Sequence, residues 1–221
     1  DANLVVTMYT RQLGKVKRGA RGARKSKSQR GAALEPFTHV SMSFRRKENR
    51  DLQTLSQVDV VKSFLHLGED LMRMSYAGAV SELVNRLVIG EEPNPQLFEL
   101  LRGVLEALDA AEPESGELIF WSFRLRFAAV SGYPPQLAQC ISCDQAKETG
   151  DVYFSPGMGG VLCSSCRSHD QEAFVITRGA LRLLTDLQRV ALSQAARYRT
   201  SPQSRREINR IMRAFFAYHM E

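Results

Sequence analysis

Four cysteines in the pattern C-x2-C-x19-C-x2-C constrain this chain more than any other feature: Cys140, Cys143, Cys163 and Cys166. Two-residue gaps let each pair form a tight knuckle, and a hairpin between the pairs brings the knuckles together. Val152-Tyr153-Phe154 and Gly160-Val161-Leu162 supply strand residues, and Pro156, Gly157, Gly159 and Gly160 supply the turn. The pattern predicts a four-thiolate zinc module over residues 138–169. Four protein ligands fill a tetrahedron, so the Zn2+ is structural rather than catalytic. The competing reading is two disulfides, which belong to oxidising compartments; no segment reads as a signal peptide. His169 is read as solvated or as lying behind the ligands.

Charge is the second constraint. The 221-residue chain carries a net +6, but unevenly. Residues 1–50 hold thirteen Lys/Arg against three Asp/Glu, a balance of +10, and residues 51–221 hold seventeen against twenty-one, or −4. Nine of the cations fall in residues 11–30, RQLGKVKRGARGARKSKSQR, with no acid among them. A basic pole on a mildly acidic body is the electrostatic footprint of a nucleic-acid binder. A membrane-surface patch would need an apolar anchor beside it, and this segment has almost no large apolar residues. The longest apolar run, LIFWSFRLRFAAV, is shorter than a membrane span and broken by two arginines.

The periodicity divides the chain. Residues 4–10, the segment around Lys15-Val16-Lys17, and FTHVSMSF at 37–44 alternate as strands, with Val16, Val40, Met42 and Phe44 inward. Gln12-Leu13-Gly14 reads as a turn, 19–33 as a basic loop, and Leu52 to Val58 as a further strand. From Val60 the period becomes helical, with Val61, Phe64, Leu65, Leu71, Met72, Tyr76, Leu83 and Leu87 on one stripe. Further helices are expected at 97–108, at 117–130 (apolar nearly all round, hence central), at 178–198 and at 203–219. Domains are therefore expected at 1–59 and 60–221. No phosphate-binding glycine loop is present. The pairs Glu69-Asp70 and Glu91-Glu92 read as solvated faces, because sequence neighbours on a helix do not face each other. Nothing composes a catalytic site.

The stretches YTRQLGKVKRGARGARKSKS, LEPFTHVSMSF, SYAGAVSELVNRLV, SGYPPQLAQCISCDQ and FSPGMGGVLCSSC occur in the order seen in the RecO family of bacterial recombination mediators. The chain resembles that family up to about residue 170. The resemblance implies an α+β protein: an N-terminal OB-fold β-barrel whose first strand lies before Asp1, then an α-helical domain with an inserted four-cysteine zinc module. It implies binding of single- and double-stranded DNA, annealing of complementary strands, and work with RecR to displace SSB and help load RecA. It further implies contact with the acidic, apolar C-terminal tail of SSB, for which Arg124 and Arg126 are candidate rim residues. The family is cytoplasmic, nucleoid-associated and not enzymatic. Some members lack the zinc cysteines, so the metal is not essential to the family's activity.

The expected DNA contacts are Arg11, Lys15, Lys17, Arg18, Arg21, Arg24, Lys25, Lys27 and Arg30. Phosphate contacts carry no sequence information, which suits a mediator acting on any broken DNA. Tyr9, Phe37 and Phe44 are candidates for base stacking. Arg206, Arg210 and Arg213 share a polar helix face and are candidates for a weaker contact. Arg124 and Arg126 have a competing reading as internal partners of acids such as Glu69 or Asp70. Two other function classes stay open, a zinc-stabilised OB-fold RNA-binding protein and a metal-dependent nuclease. The nuclease needs acids near the basic face, and residues 1–50 hold only Asp1, Glu35 and Glu48.

Overall fold

The computed structural model describes residues 4–20, 31, 33–44, 53–145 and 151–220. It divides into two compact units, Asp1–Ala110 and Ala111–Glu221. In the first unit, β1 (Leu4–Thr10) and β2 (Gly14–Ala20) pair antiparallel, with Met8 opposite Val16 and Tyr9 opposite Lys15. Their turn requires glycine at position 14 on two counts. Its φ is +65°, and a Cβ there would stand 2.1 Å from the Glu92 carbonyl oxygen. β3 (Thr38–Phe44) and β4 (Leu55–Ser63) form a second antiparallel pair, with register shifts at His39/Val40 and Ser43/Phe44.

The two pairs meet at a parallel bridge between Gly19 and Thr54, where the Gly19 N–H donates to the Gln53 carbonyl at 2.8 Å. Between them lies a small core of Ala20, Ala33, Leu55 and Val58, joined by Met8, Val40 and Met42. The inward phase expected for Val16, Val40 and Met42 is the one observed. The described strands make two two-stranded sheets around one core and do not close into a barrel.

The strand–helix junction departs from the sequence expectation. β4 runs through Val60 and Val61 to Ser63, so the expected boundary at residue 59/60 falls inside a strand. A short 3-10 turn, Leu65–Gly68, follows. The helix α1 (Leu71–Leu87) begins only where Asp70 accepts a hydrogen bond from the Arg73 N–H and caps it. That cap sets the helical phase. Ala77, Val80 and Val84 are buried, while Leu65 and Leu71, expected on the inner stripe, are 69% and 78% exposed. α2 (Pro95–Ala110) starts at an Asn94 cap and buries Leu97, Val104, Ala107 and Leu108.

The second unit is built around α3 (Gly116–Val130), which buries residues on nearly every side, including Trp121, Phe123 and Phe127. It ends in a Schellman turn. The Tyr133 N–H reaches the Ala128 carbonyl at 2.8 Å, the Gly132 N–H reaches that of Ala129 at 3.1 Å, and Gly132 takes φ +92°. β5 (Val152–Ser155), β6 (Gly160–Cys163) and β7 (Phe174–Ile176) form a three-stranded sheet in the order β6-β5-β7. The helix expected over 178–198 is two helices, α4 (Arg178–Arg189) and α5 (Leu192–Ala195). Val190 is extended (ψ 151°) and separates them. α6 (Pro202–His219) closes the unit and buries Ile208, Ile211, Met212, Phe215 and Phe216.

α3 is fastened by polar side chains as well as packing. Trp121 Nε1–H donates to Asn209 Oδ1 at 3.0 Å, and Ser122 Oγ–H to the Leu187 carbonyl at 2.7 Å. Among the described residues no helix is long and apolar enough to cross a membrane.

Phe123 is fully buried and lies between Phe120 and Phe127, 6.5 and 5.8 Å away by ring centroids. Phe123→Ala should therefore cost about 3–5 kcal/mol of unfolding free energy, measured by urea denaturation. A loss below about 1 kcal/mol would contradict the central placement of α3.

Candidate metal centre and nucleic-acid interface

The four cysteines converge. Their Sγ atoms all lie within 4.8 Å of one another, and none is in a disulfide. Cys143 Sγ and Cys163 Sγ, from different knuckles, are 3.8 Å apart. A tetrahedral ion with metal–sulfur bonds of about 2.3 Å has sulfur–sulfur edges of about 3.8 Å, so the donor set fits such an ion. Backbone pairing explains the convergence. The Gln136 N–H donates to the Gly159 carbonyl, the Val161 N–H to that of Gln136, and the Ile141 N–H to that of Val161, all at 2.9–3.0 Å. These bonds lay the first knuckle along β6, which carries Cys163.

The electrostatics of the cluster call for a cation. Burial raises the Cys140 thiol, but the N–H groups of Cys163, Ser142 and Cys143 outweigh it and bring its pKa down to about 6. The Cys163 N–H stands 3.4 Å from Cys140 Sγ. For Cys143, the Gln145 N–H lowers the pKa, yet its bond to Cys140, desolvation and the other two thiols push it up to about 12. One thiolate forms readily and the next is opposed by it, so a metal ion held by the four sulfurs would favour their full ionisation. His169 Nδ1 lies 2.7 Å from the hydroxyl of Ser142, inside the first knuckle, and so sits behind the sulfurs.

The N-terminal cations divide by what they touch. Lys17 is exposed. Lys15 donates to the Asn85 carbonyl at 2.7 Å. Arg11 pairs with Glu99 and stands 5.3 Å from the Phe98 ring centroid; Arg11 and Arg102 hold the Glu99 carboxyl below its usual pKa. Arg18 shares the inward phase of Val16 and Ala20 and is only 5% exposed. Its guanidinium lies 4.6 Å over Phe44 and pairs with Glu91 at 3.0 Å. Arg21, Arg24, Lys25, Lys27 and Arg30 lie outside the described residues. Of the stacking candidates, Phe44 is under Arg18, and Tyr9 donates to the Asn94 carbonyl at 3.4 Å. Phe37 is half-buried at φ +59°.

Arg124 and Arg126 are held inside the second unit. Arg124 donates to the Met212 carbonyl at 3.0 Å and lies 4.1 Å over Phe216. Arg126 donates to the carbonyl of Val190 at the C-terminal end of α4, where a cation also meets the negative end of the helix dipole. Burial lowers the Arg126 pKa. Sequence reading looked for carboxylates opposite these arginines. The structure gives them backbone carbonyls and aromatic faces, while Asp70 is engaged in capping α1. Glu91 also escaped the sequence reading as a partner; the signal available was that Arg18 continues the inward alternation from Val16.

Residues 68–221 match the family described as Recombination protein O C terminal, and residues 1–64 match Recombination protein O N terminal. Proteins named DNA repair protein RecO are similar along the chain. That of Anaeromyxobacter sp. (strain K) is 37% identical over 220 residues, covering 100% of this chain and 86% of the relative. That of Pelotomaculum thermopropionicum is 34% identical over 221 residues, covering 100% and 84%. That of a Nocardioides species is 40% identical over 170 residues, covering 76% and 68%.

Arg18→Ala removes a cation–π contact and leaves Glu91 without its partner, and should cost about 1–3 kcal/mol. Lys17→Ala, one position away and exposed, should change stability by less than about 0.5 kcal/mol. Thermal melts of both variants check this, and equal effects would contradict the buried placement of Arg18.

Proposed function

The chain belongs to the RecO family, and on that footing we propose that it is a non-enzymatic DNA-binding recombination mediator. It binds single- and double-stranded DNA and anneals complementary strands. With RecR it helps load RecA onto SSB-coated single strands, recruited through the acidic SSB tail. The strands up to Ser63 are read as part of an OB-fold, a barrel that offers loops and a face to nucleic acid. The protein works in the cytoplasm, at the nucleoid.

One observation carries the reading beyond family membership: nine cations and no acid in residues 11–30. Lys17 is exposed on β2, and the rest of the run continues beyond Ala20. Two complementary strands repel each other through their phosphates. A cationic surface lowers that repulsion and raises local strand concentration without covalent chemistry. Arg18 is assigned to holding β2 against the Glu91 loop, and the phosphate contacts to its exposed neighbours. Arg124 and Arg126 serve as rim residues for the SSB tail only if they exchange their carbonyl partners.

The four cysteines are assigned one structural Zn2+. The sulfur spacing and the absence of any fifth donor among the described residues favour a closed site that shapes the module and takes no part in a reaction. Elemental analysis of protein purified under reducing conditions should give close to one zinc per chain. A ratio near zero, with the cysteines recovered as disulfides, would contradict the assignment.

The protein should accelerate pairing of SSB-coated complementary strands with no nucleotide or added metal. If about four to six cations meet phosphates, the log–log salt slope on single strands should be about −3 to −4. Changing Arg21, Arg24 and Lys25 together to alanine should flatten that slope and weaken all sequences alike. No acceleration over SSB-coated strands alone would remove the mediator reading.

A further inference from the structure

Much of the described basic run is already engaged from within. Four of its cations are described, Arg11, Lys15, Lys17 and Arg18. Three of them are held by one stretch of chain, residues 85–99, which runs from the last turn of α1 into the first turns of α2 and carries Glu91, Glu92 and Glu99. Lys15 Nζ donates to the Asn85 carbonyl at 2.7 Å, at the negative end of the α1 dipole. Arg18 pairs with Glu91 at 3.0 Å, and Arg11 pairs with Glu99 Oε1. Lys17, the fourth, is exposed. The stretch is seated on the β1–β2 turn by its backbone. Gly14 packs directly against the Glu92 carbonyl, and the Tyr9 hydroxyl donates to the Asn94 carbonyl at 3.4 Å. Pro93 and Pro95 flank Asn94 and stiffen the approach.

The two ion pairs differ in what can reach them. Arg18 is buried, and its bond to Glu91 belongs to the fold. The Arg11 and Glu99 side chains are 62% and 40% exposed, so a phosphate can reach the same guanidinium. Glu99 is also held from a second side. Arg102 Nε donates to Glu99 Oε2 at 3.0 Å, and another nitrogen of the same guanidinium donates to Glu106 at 2.7 Å. When Arg11 turns away, Glu99 therefore keeps a cationic partner and stays in place. Moving Arg11 from carboxylate to phosphate leaves no buried charge unpaired, so the exchange is cheap in both directions.

We propose that Glu99 is an internal stand-in for phosphate, an autoinhibitory carboxylate that competes with the DNA backbone for Arg11 and shortens the time a strand is kept. The inference rests on the DNA-handling reading above and adds a release step to it. Carboxylate and phosphate both present paired oxygens to the planar fork of arginine, so each satisfies Arg11 in turn. An exposed pair is weak, so this competition lowers affinity without abolishing it. A paired arginine also carries no counterion to release, and contributes nothing to the salt dependence of binding. A protein that anneals two strands and then stays is lost to further pairing. A carboxylate standing beside the contact takes the arginine back as each phosphate leaves, and so acts on the dissociation rate.

The test measures the salt dependence of single-strand affinity, by fluorescence anisotropy with the whole chain, for the wild type, E99Q, E92Q and R11Q/E99Q. E92Q is the control for net charge: it removes the same charge from the same stretch, and Glu92 is exposed with no ion pair among the described residues. All variants should melt like the wild type. E99Q should bind about two- to fivefold tighter, with a log–log salt slope steeper by about 0.7, one added contact. It should leave the annealed duplex more slowly by the same factor. E92Q should gain less than about twofold, because salt screens an unpaired surface charge, and should keep the wild-type slope. In R11Q/E99Q the gain should vanish, which isolates the pair. No gain in E99Q overturns the proposal. So do equal gains in E99Q and E92Q, which would reduce the effect to net charge, and so does a gain that survives R11Q. The same titrations with inorganic polyphosphate separate this inference from the DNA reading. If the wild type neither binds nor anneals DNA while E99Q gains on polyphosphate through Arg11, the mediator reading fails and the competition stands. Absence of the gain on both polyanions overturns the competition.

Discussion

Four sulfur atoms within 4.8 Å of one another form the constraint on which the second unit is organised. Burial raises the Cys140 thiol but backbone N–H groups bring it down to about 6; against the Gln145 N–H, the thiols beside Cys143, with desolvation, push that one up to about 12. A cation bound there would favour all four thiolates. The first knuckle is held against β6 by the Ile141 and Val161 backbone bonds. Held there, the hairpin places Phe154 against Phe174 and Phe215, with ring centroids 6.0 and 6.5 Å away. The cysteine module thus shares its apolar side with α6, and His219 Nε2 meets the Pro156 carbonyl at 2.7 Å. In the proposed reading the module fastens α6 through these contacts.

Arginine serves two opposed purposes in this chain, and burial separates them. Arg18 is buried and Arg124 and Arg126 half-buried, and aromatic faces, carbonyls and one carboxylate meet their guanidinium groups. Leaving such a charge unpaired would be costly, so truncating one acts on stability first. Lys17, Arg206 and Arg213 remain exposed and add to the field outside the molecule. Only this second class attracts a polyanion without first breaking an internal bond. Arg11 stands between the classes, exposed but paired with Glu99.

The cysteine cluster was the most legible feature, because ligand spacing and a glycine-rich hairpin are local in sequence. Strand faces were legible for the same reason: Val16, Val40 and Met42 sit as their alternation requires. The phase of α1 was not. Leu65, Leu71 and Met72 look like core by type, yet they precede or open a helix whose register is fixed by the Asp70 cap and by Ala77, Val80 and Val84. The partners of Arg18, Arg124 and Arg126 are 73, 88 and 64 residues away along the chain. No local pattern announces contacts of that kind. The break at Val190 was hidden because the helical stripe resumes after it.

On the proposed function, a cationic strand module handles DNA by charge, and the four-cysteine module, read as a structural metal site, stays out of the contact. Hydrogen exchange of the whole chain with and without bound single-stranded DNA tests that separation most directly. Protection is expected in residues 11–30, with exchange at residues 136–145 and 160–166 unchanged. Protection concentrated in the cysteine module, with the basic stretch unaffected, would contradict the account.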